Sequence, residues 1–297
     1  MAPRSQGRGV VFGEGQQLMQ DELAQSALGK STPGASGYDP ILLFSVPRAP
    51  ARIALGIVST PELPLPFEGE DVWTAYELSW LDPRGKPQVA IGELRVPATS
   101  PNLVESKSLK LYLNGFNDER MQDADALRAR VIVDLARATG GDVRFSLLRA
   151  DGLAQRRSSQ EDAVSLDDLD IAISHYGPPQ ADLSAHAAHP VEETLVTDTF
   201  KSNCPVTGQP DFASVWIRYR GPRIDREALL RYLVSYREHA ALHEQCVERI
   251  FCDIDALCAP EALAVAARFT RRGGLDINPQ RASRGYDVIW PTRTMRQ

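Results

Sequence analysis

The feature that most limits how this chain can fold is an internal repeat, in which an apolar pattern recurs after 120 residues. Three apolar side chains at helical spacing in the first half have counterparts at the same spacing in the second. The matched positions are Leu109, Leu113 and Phe116, and then Leu229, Leu233 and Tyr236. A repeat at a fixed offset indicates two related supersecondary units. The sequence therefore predicts an α+β chain in which one order of strands and helices occurs twice.

In the first half, two runs rich in β-branched and aromatic residues, 72–81 and 88–96, flank the turn-forming stretch DPRGKP. This pattern is typical of a β-hairpin. A short helix is predicted in SLKLYLNGF and a longer one in DADALRARVIVDLARATGG, where Gly140 suits a helix C-terminus. A strand over 142–150 completes the predicted unit.

The second half shows the same order. Strands are predicted over 193–203 and 212–221, and helices in EALLRYLVSYR and HEQCVERIFCDIDALC. A strand in ALAVAARFTRR follows, and a strand over 286–290 closes the set. We therefore divide the chain into an N-terminal extension (1–68), a first module (69–190) and a second module (191–297). The extension is punctuated by Pro and Gly, and we expect an extended arm lying over the main body.

Composition argues against several functional classes. The net charge of −6 and the pI near 5.5 disfavour a nucleic-acid-binding surface, which needs clustered positive charge. No apolar run approaches the roughly 18 residues that span a bilayer, and the first residues lack the apolar core of a signal peptide. The chain contains only four cysteines, so we expect a cytosolic protein with reduced thiols that does not bind nucleic acid directly or enter membranes.

Two familiar motifs are incomplete. LGKST lacks the first glycine of a phosphate-binding loop, because Ala24 stands there, and Pro33 lies where the helix should begin. No G-x-G-x-x-G follows a predicted strand, so any nicotinamide cofactor must bind on another scaffold. His239 and His243 are four residues apart, but no third ligand lies at a characteristic spacing, and we predict no metal site.

The segment SNCPVTGQPDF carries the clearest chemical signal. Two prolines and a glycine predict a rigid loop that holds a thiol, Cys204, seven residues before a carboxylate, Asp211. A nucleophilic cysteine needs a fixed, reachable position and a partner that moves its proton. Because a carboxylate repels a thiolate, Asp211 suits a proton shuttle better than a thiolate stabiliser. The spacing alone also fits a structural cysteine.

Together with ESKSLKLYLNGFN, SYREHAALHEQCVERI and TRRGGLDINP, this loop strongly resembles the NADPH-dependent 7-cyano-7-deazaguanine reductases. These are the nitrile reductases of queuosine biosynthesis, here in their longer, two-module form, and the resemblance runs from about residue 38 to 284. It implies tandem tunnelling-fold (T-fold) modules, each an antiparallel sheet with two inserted helices. It also implies that two NADPH molecules reduce the nitrile to the amine that another enzyme later inserts into tRNA.

The resemblance also implies roles for individual residues. Cys204 would form a covalent thioimidate with the nitrile, and Asp211 would protonate the nitrogen. Carboxylates suit the guanine-like ring because it offers adjacent N–H donors, and cations suit the cofactor phosphates. The implied substrate-binding residues are Val104, Glu105, Ser106, His243 and Glu244. The implied NADPH-binding residues are Ser106, Lys107, Arg272 and Gly273. We expect a homodimer with this small-molecule substrate.

Two other functions remain open at this stage. Glu105, Lys107 and Cys204 supply the residue types of a Glu–Lys–Cys nitrile hydrolase, which would release ammonia without consuming NADPH. A non-catalytic module that binds a purine-like metabolite would keep Glu105 and Glu244 but have no use for a thiol. Consumption of NADPH separates the reductase from both alternatives.

Overall fold

The structure, a computed structural model, describes residues 21, 23–26, 37–60, 62–148, 163–287, 294, 296 and 297. The chain forms two compact units, each assembled from separate segments. Unit 1 comprises Met1–Leu65, Thr74–Arg149 and Gly273–Leu275, and unit 2 comprises Pro66–Trp73, Ala150–Arg272 and Asp276–Gln297. The chain is a mixed α+β protein, as predicted. The module boundaries at 68 and 190 stay a prediction.

Unit 1 combines short helices with antiparallel strands. After a 3-10 turn (Pro40–Leu42), its elements are β1 (Ser45–Pro47), α1 (Ala49–Ala54), β2 (Glu68–Leu81, of which 74–81 lie here), β3 (Pro87–Pro97), β4 (Asn102–Val104), α2 (Ser106–Asn114), α3 (Ala124–Thr139) and β5 (Arg144–Leu148). Strands are ordered β5–β3–β2, and a separate pair joins β1 to β4. Helix α3 packs against β4 and β5.

The local signals in this half are confirmed. The turn between β2 and β3 closes when Asp82 N donates to Lys86 O (2.9 Å) and Asp82 Oδ1 accepts from the Arg84 and Lys86 amides. Helix α3 ends at Gly140, whose left-handed φ of 67° is an ordinary C-terminal conformation. The apolar faces of both helices are buried as their spacing predicts.

Part of the predicted extension belongs to unit 1. Strand β1 pairs antiparallel with β4, with Ser45 opposite Val104. The Tyr38 hydroxyl donates to Asp134 of α3 (2.7 Å), and the Ser45 hydroxyl donates to Ala138 O (2.7 Å). Within the described residues this stretch therefore contributes a strand, a helix and hydrogen bonds to the unit.

Unit 2 is built on a larger sheet. Its elements are residues 66–73 with the start of β2, then β6 (Val164–Ser165), β7 (Ala185–Asn203), β8 (Pro210–Ile224), α4 (Arg226–Val234), a 3-10 turn (Ser235–Glu238), α5 (His243–Cys258), β9 (Ala262–Phe269) and β10 (Leu275–Ala282). The strand order is β2–β10–β9–β8–β7–β6. Helix α5 packs on β9 and buries Val247, Ile250, Phe251 and Ile254.

One strand predicted from the sequence differs from the strand that the structure contains. The strand expected over 286–290 lies largely outside the described residues, and Tyr286 and Asp287 are not in a strand. The sheet instead contains β10, which pairs antiparallel with β9. Its sequence, LDINPQRA, is polar and contains Pro279, features that disfavour a central strand. Tertiary contacts overrule that preference, because Asp276, Gln280 and Arg281 are buried with polar partners.

No helix among the described residues is both long enough and apolar enough to cross a membrane.

Candidate active site

The cysteine loop is a closed hairpin connection at the end of β7. Cys204 follows the last strand residue, its amide donates to Gln209 O (2.9 Å), and its carbonyl accepts from Gly208 N (3.0 Å). Gly208 takes a left-handed φ of 66°, which favours glycine. Cys204 is only 7% exposed. Backbone hydrogen bonds therefore close the loop that the sequence predicts between two strands, with Cys204 at its start.

Asp211 lies at the start of β8, opposite Ser202 of β7. Its buried carboxylate places Oδ2 3.4 Å from Nε2 of His243. Its Oδ1 accepts a hydrogen bond from Nη2 of Arg272, which also donates to Pro210 O (2.8 Å). His243 and Arg272, which the sequence singled out separately, thus both contact the Asp211 carboxylate.

A short parallel bridge brings the start of α5 to this end of β7. Asn203 N donates to His239 O (2.8 Å), and Ala241 N donates to Asn203 O (3.1 Å). Asn203 immediately precedes Cys204, and His243 opens the helix two residues after Ala241. The sequence therefore supplies both groups, but pairing between distant segments brings them to one place.

The His243 ring is held by stacking. It lies 3.8 Å from the Phe269 ring at an interplanar angle of 10°. Its Nδ1 atom is buried and has no hydrogen-bond partner among the described residues. Buried polar atoms without partners are rare in native proteins, so Nδ1 is a candidate for contact with a bound molecule. Phe269 was missed by sequence reasoning, and its position at a strand end before TRRGG is the signal that points to it.

Glu244 occupies the first turn of α5 and is 4% exposed. A carboxylate in this turn is favoured by the partial positive charge of the helix N-terminus. The helix lacks a side-chain cap of the usual kind, because Leu242 stands at the N-cap. Gln245 Oε1 compensates in part by accepting from Leu242 N (3.1 Å).

In unit 1, Glu105 is the N-cap of α2 and is 4% exposed. Its Oε1 accepts from Lys107 N (2.6 Å) and the Ser106 hydroxyl (3.2 Å), and its Oε2 accepts from Ser108 N (2.8 Å). Burial raises the pKa of Glu105, against the lowering effect of these donors. Three of the roughly four lone-pair positions of a carboxylate are thereby occupied. Glu105 is thus a buried cap rather than the solvated helix charge that its residue type suggests.

The residues implied in cofactor binding have the chemistry that a phosphate needs. Val104 ends β4, and Ser106 and Lys107 are partly exposed in the first turn of α2. Gly273 has a left-handed φ of 58°, and a Cβ there would lie 2.7 Å from Lys110 Nζ. A side chain at this position would displace the lysine ammonium, so glycine keeps a cation in place. Ammonium groups, a helix N-terminus and glycine backbone fit an anionic cofactor.

The remaining cysteines lie on α5. Cys246 and Cys258 are buried, as predicted for small apolar side chains. Burial raises the pKa of Cys246 and Cys252 to about 12 and that of Cys258 to about 11. These thiols are therefore poor sources of thiolate, in contrast to what a catalytic cysteine requires.

Comparison with known proteins shows the family to which this chain belongs. Residues 35–147 match the family model described as "Nitrile reductase, 7-cyano-7-deazaguanine-reductase N-term", and residues 210–286 match "QueF-like protein". A relative from Stenotrophomonas maltophilia (strain K279a) is 56% identical over 92% of this chain and 97% of its own length. One from Xanthomonas campestris pv. campestris (strain B100) is 57% identical over 87% and 92%, respectively. A third, from Chromobacterium violaceum, is 50% identical over 92% and 96%.

All three relatives are named NADPH-dependent 7-cyano-7-deazaguanine reductase. A solved structure, the archaeosine synthase QueF-Like in the apo form, is 22% identical and covers 33% of this chain and 96% of its own. Its TM-score of 0.29 is too low to support an argument about the fold. The two family models and the relatives together cover most of the sequence, including Cys204, Asp211, His243 and the ESKSLK segment. The chain therefore belongs to the NADPH-dependent 7-cyano-7-deazaguanine reductase family.

Proposed function

We propose that this chain reduces the nitrile 7-cyano-7-deazaguanine to 7-aminomethyl-7-deazaguanine at the expense of NADPH, in queuosine biosynthesis. The observation that carries the proposal is the cysteine loop of unit 2, set beside the contact between Asp211 and His243, in a chain at least 50% identical to reductases of that name. A thiol in a fixed loop and a nearby proton-transfer pair are the groups that nitrile activation requires.

The first step is addition of the Cys204 thiol to the nitrile. The Cys204 sulfur bonds to the nitrile carbon, one π bond of the C≡N group breaks, and the nitrogen takes up a proton. Asp211 accepts the thiol proton and delivers it to that nitrogen, so the carboxylate is regenerated. The product is a thioimidate, whose carbon accepts hydride more readily than the nitrile carbon does.

Reduction then completes the conversion. When bound, NADPH supplies the two hydrides that reduce the carbon. Cys204 leaves as the thiol between the two reductions, which frees an imine for the second one. Asp211, with His243 beside it, supplies the protons that the departing sulfur and the nitrogen require. The overall change consumes one nitrile, two NADPH and two protons and yields one primary amine and two NADP+.

Substrate recognition is proposed to rest on buried carboxylates. Glu244 and Glu105 accept the ring N–H donors, with Val104, Ser106 and His243 as further contacts. Because the cap occupies most of its acceptor positions, Glu105 has room for about one more strong hydrogen bond. We therefore assign a single ring N–H donor to Glu105.

Cofactor recognition is proposed to rest on Ser106, Lys107, Arg272 and Gly273. The guanidinium and the ammonium match the phosphates, including the 2′-phosphate that distinguishes NADPH from NADH. We further propose tandem T-fold modules, a homodimer and a cytoplasmic location. The low pI of 5.5 is consistent with a chain that does not bind nucleic acid directly.

The test combines a spectroscopic assay with intact-protein mass. With NADPH and the deazapurine nitrile, we expect loss of nicotinamide absorbance and a product that keeps its nitrogen. With the nitrile alone, we expect a mass adduct that disappears in Cys204→Ala and persists in the control Cys252→Ala. Ammonia release without NADPH oxidation would identify a hydrolase instead. Tight binding without an adduct or turnover would identify a binding module.

A further inference from the structure

Arg272 has two candidate partners that compete for the same atoms. The proposed function assigns its guanidinium to a cofactor phosphate, but Nη2 here donates to both Pro210 O and Asp211 Oδ1. A guanidinium can hold a phosphate through two hydrogen bonds along either of two edges, and both edges include Nη2. Bidentate binding of a phosphate therefore requires Nη2 to give up a hydrogen bond that it makes in this structure.

The geometry allows Arg272 to move while Asp211 stays in place. The Arg272 side chain is 46% exposed, whereas that of Asp211 is 9% exposed. Arg272 lies in the connection between β9 and β10, next to Gly273 and Gly274, which both have left-handed φ angles. Asp211 is paired within the sheet opposite Ser202 and keeps its 3.4 Å contact with His243. A half-exposed cation therefore faces a buried carboxylate that lies on a paired strand.

The two partners matter because Asp211 must change its protonation state in the reaction. The ion pair with Arg272 is made by the carboxylate, whereas a proton reaches the substrate nitrogen only from the carboxylic acid. We propose that Arg272 exchanges the Asp211 carboxylate for a phosphate of NADPH, so that cofactor binding releases the carboxylate that moves protons. Arg272 is thus a positioning residue for Asp211, and this inference rests on the proposed function.

If Asp211 and a phosphate compete for the Arg272 guanidinium, removal of the Asp211 charge should change the cofactor affinity in a predictable direction. If binding of a phosphate breaks the Arg272–Asp211 pair, then removing the Asp211 charge strengthens cofactor binding, by reciprocity. A partly exposed, charge-assisted hydrogen bond corresponds to about a three- to tenfold change in affinity. A merely structural role for Asp211 predicts weaker binding or no change.

The experiment is a double-mutant cycle on the full chain, with the dissociation constant of NADP+ as the readout. NADP+ binds without turnover, so catalysis does not enter the measurement. We expect Asp211→Asn to tighten NADP+ binding about three- to tenfold when Arg272 is present, and by less than about twofold in the Arg272→Gln background. Unchanged or weaker binding in Asp211→Asn, or equal tightening in both backgrounds, overturns the exchange.

A matched control separates this contact from a general charge effect. Asp168 is an exposed carboxylate of the same unit, and Asp168→Asn should change the dissociation constant by less than about twofold. Equal tightening in that variant overturns the exchange. The proposed function fails separately, if the wild-type chain does not oxidise NADPH in the presence of the nitrile. If it does and the cycle shows no coupling, only the exchange is wrong.

Discussion

Each unit contains a hairpin connection that is closed by a similar pair of backbone hydrogen bonds, but a different side chain stands at its start. In unit 1 the connection from β2 to β3 begins at Asp82, whose amide donates to Lys86 O and whose carbonyl accepts from Gly85 N. In unit 2 the connection from β7 to β8 begins at Cys204, whose amide donates to Gln209 O and whose carbonyl accepts from Gly208 N, so this turn is one residue longer. Both turns contain a glycine with a left-handed φ, and the residue before each bridges in parallel to the approach of the second helix.

The difference lies in the first side chain of each turn. The Asp82 carboxylate accepts two backbone amides of its own turn and thereby stabilises it. In the cysteine loop two backbone hydrogen bonds close the turn, and the side chain at its start is the thiol to which the proposed function assigns the chemistry. The backbone frame is therefore structural in both units, and the proposed function assigns chemistry to one of its side chains.

The residues at the N-termini of the helices also differ, since some are ordinary capping residues and others are not. Asp225 caps α4 and Asp123 caps α3, and aspartate is an ordinary residue for this role. Glu105, a longer and buried carboxylate, caps α2, while α5 begins after Leu242 without a side-chain cap. Apart from the short α1, which follows Arg48 without a side-chain cap, each unit thus has one ordinary helix start and one that departs from capping rules. Departures from local rules are expected at functional sites, and the proposed substrate carboxylates lie at these two starts.

The largest expected effect contrasts Cys204 with Asp82. Cys204→Ala should lower kcat/KM by at least about a thousandfold, because no thioimidate can form, while leaving the urea midpoint of unfolding nearly unchanged. Asp82→Ala should do the reverse, lowering the midpoint while activity is retained. Steady-state kinetics and urea denaturation measure both. Loss of activity in both variants would contradict the division between frame and function.

The next effect concerns how α5 is attached to its sheet. Arg281 is fully buried and lies 2.8 Å from Glu248 and 2.9 Å from Asp71. Glu248 is the sixth residue of α5, whereas the sixth residue of α3 is the exposed Ala129. Arg281→Met should lower the free energy of unfolding by about 3–5 kcal/mol, because two buried carboxylates lose their cation.

The control for this prediction is an exposed ion pair on a neighbouring helix. Arg231 pairs with Glu227 at 2.9 Å on α4, and both side chains are about half exposed. Arg231→Met should therefore cost less than about 1 kcal/mol. Urea denaturation of both variants checks the difference, and equal losses would show that Arg281 does not anchor the helix.

A smaller effect on activity should distinguish Glu105, the cap of α2, from Asp225, the cap of α4. Glu105→Gln keeps an oxygen for the helix amides but loses its charge, so kcat/KM should fall about a hundredfold. Asp225→Asn makes the same change at the corresponding helix start and should alter kcat/KM by less than about twofold. Thermal unfolding of both variants verifies that the helices remain capped. Similar activities would mean that Glu105 is a cap and no more.

The smallest effect lies in the segment that leads into α5. Burial lowers the pKa of His239 to about 4, with Arg249 as a further cause, from an ordinary value of 6.5. The folded chain then holds fewer protons here than the unfolded chain between pH 4 and 6.5, so acidification through this window destabilises it. At pH 5, relative to pH 7.5, His239→Gln should lose about 1–2 kcal/mol less stability than the wild type. Equal losses in urea denaturation at the two pH values would refute this account.

Local patterns in the sequence predicted most elements, because their causes act over a few residues. Leu127, Val131 and Leu135 define one face of α3, and Gly140 ends it. The DPRGKP stretch predicted the hairpin because its Asp, Pro and Gly satisfy the turn by themselves. Strand β10 escaped prediction because several of its buried polar residues have partners far away in the sequence, such as Glu248 for Arg281 and Glu70 for Gln280.

For the site, the sequence by itself determined the chemistry of the parts. A thiol in a Pro/Gly loop, a following carboxylate, the ESKSLK segment and the family resemblance are all read from local order. Only the tertiary structure decided that Asp211 meets both His243 and Arg272, that Phe269 stacks on His243 and that Glu105 is a buried cap. The physical reason is that residue type and spacing encode preferences that act over only a few residues. Contacts between residues tens of positions apart exist only once strands have paired and helices have packed.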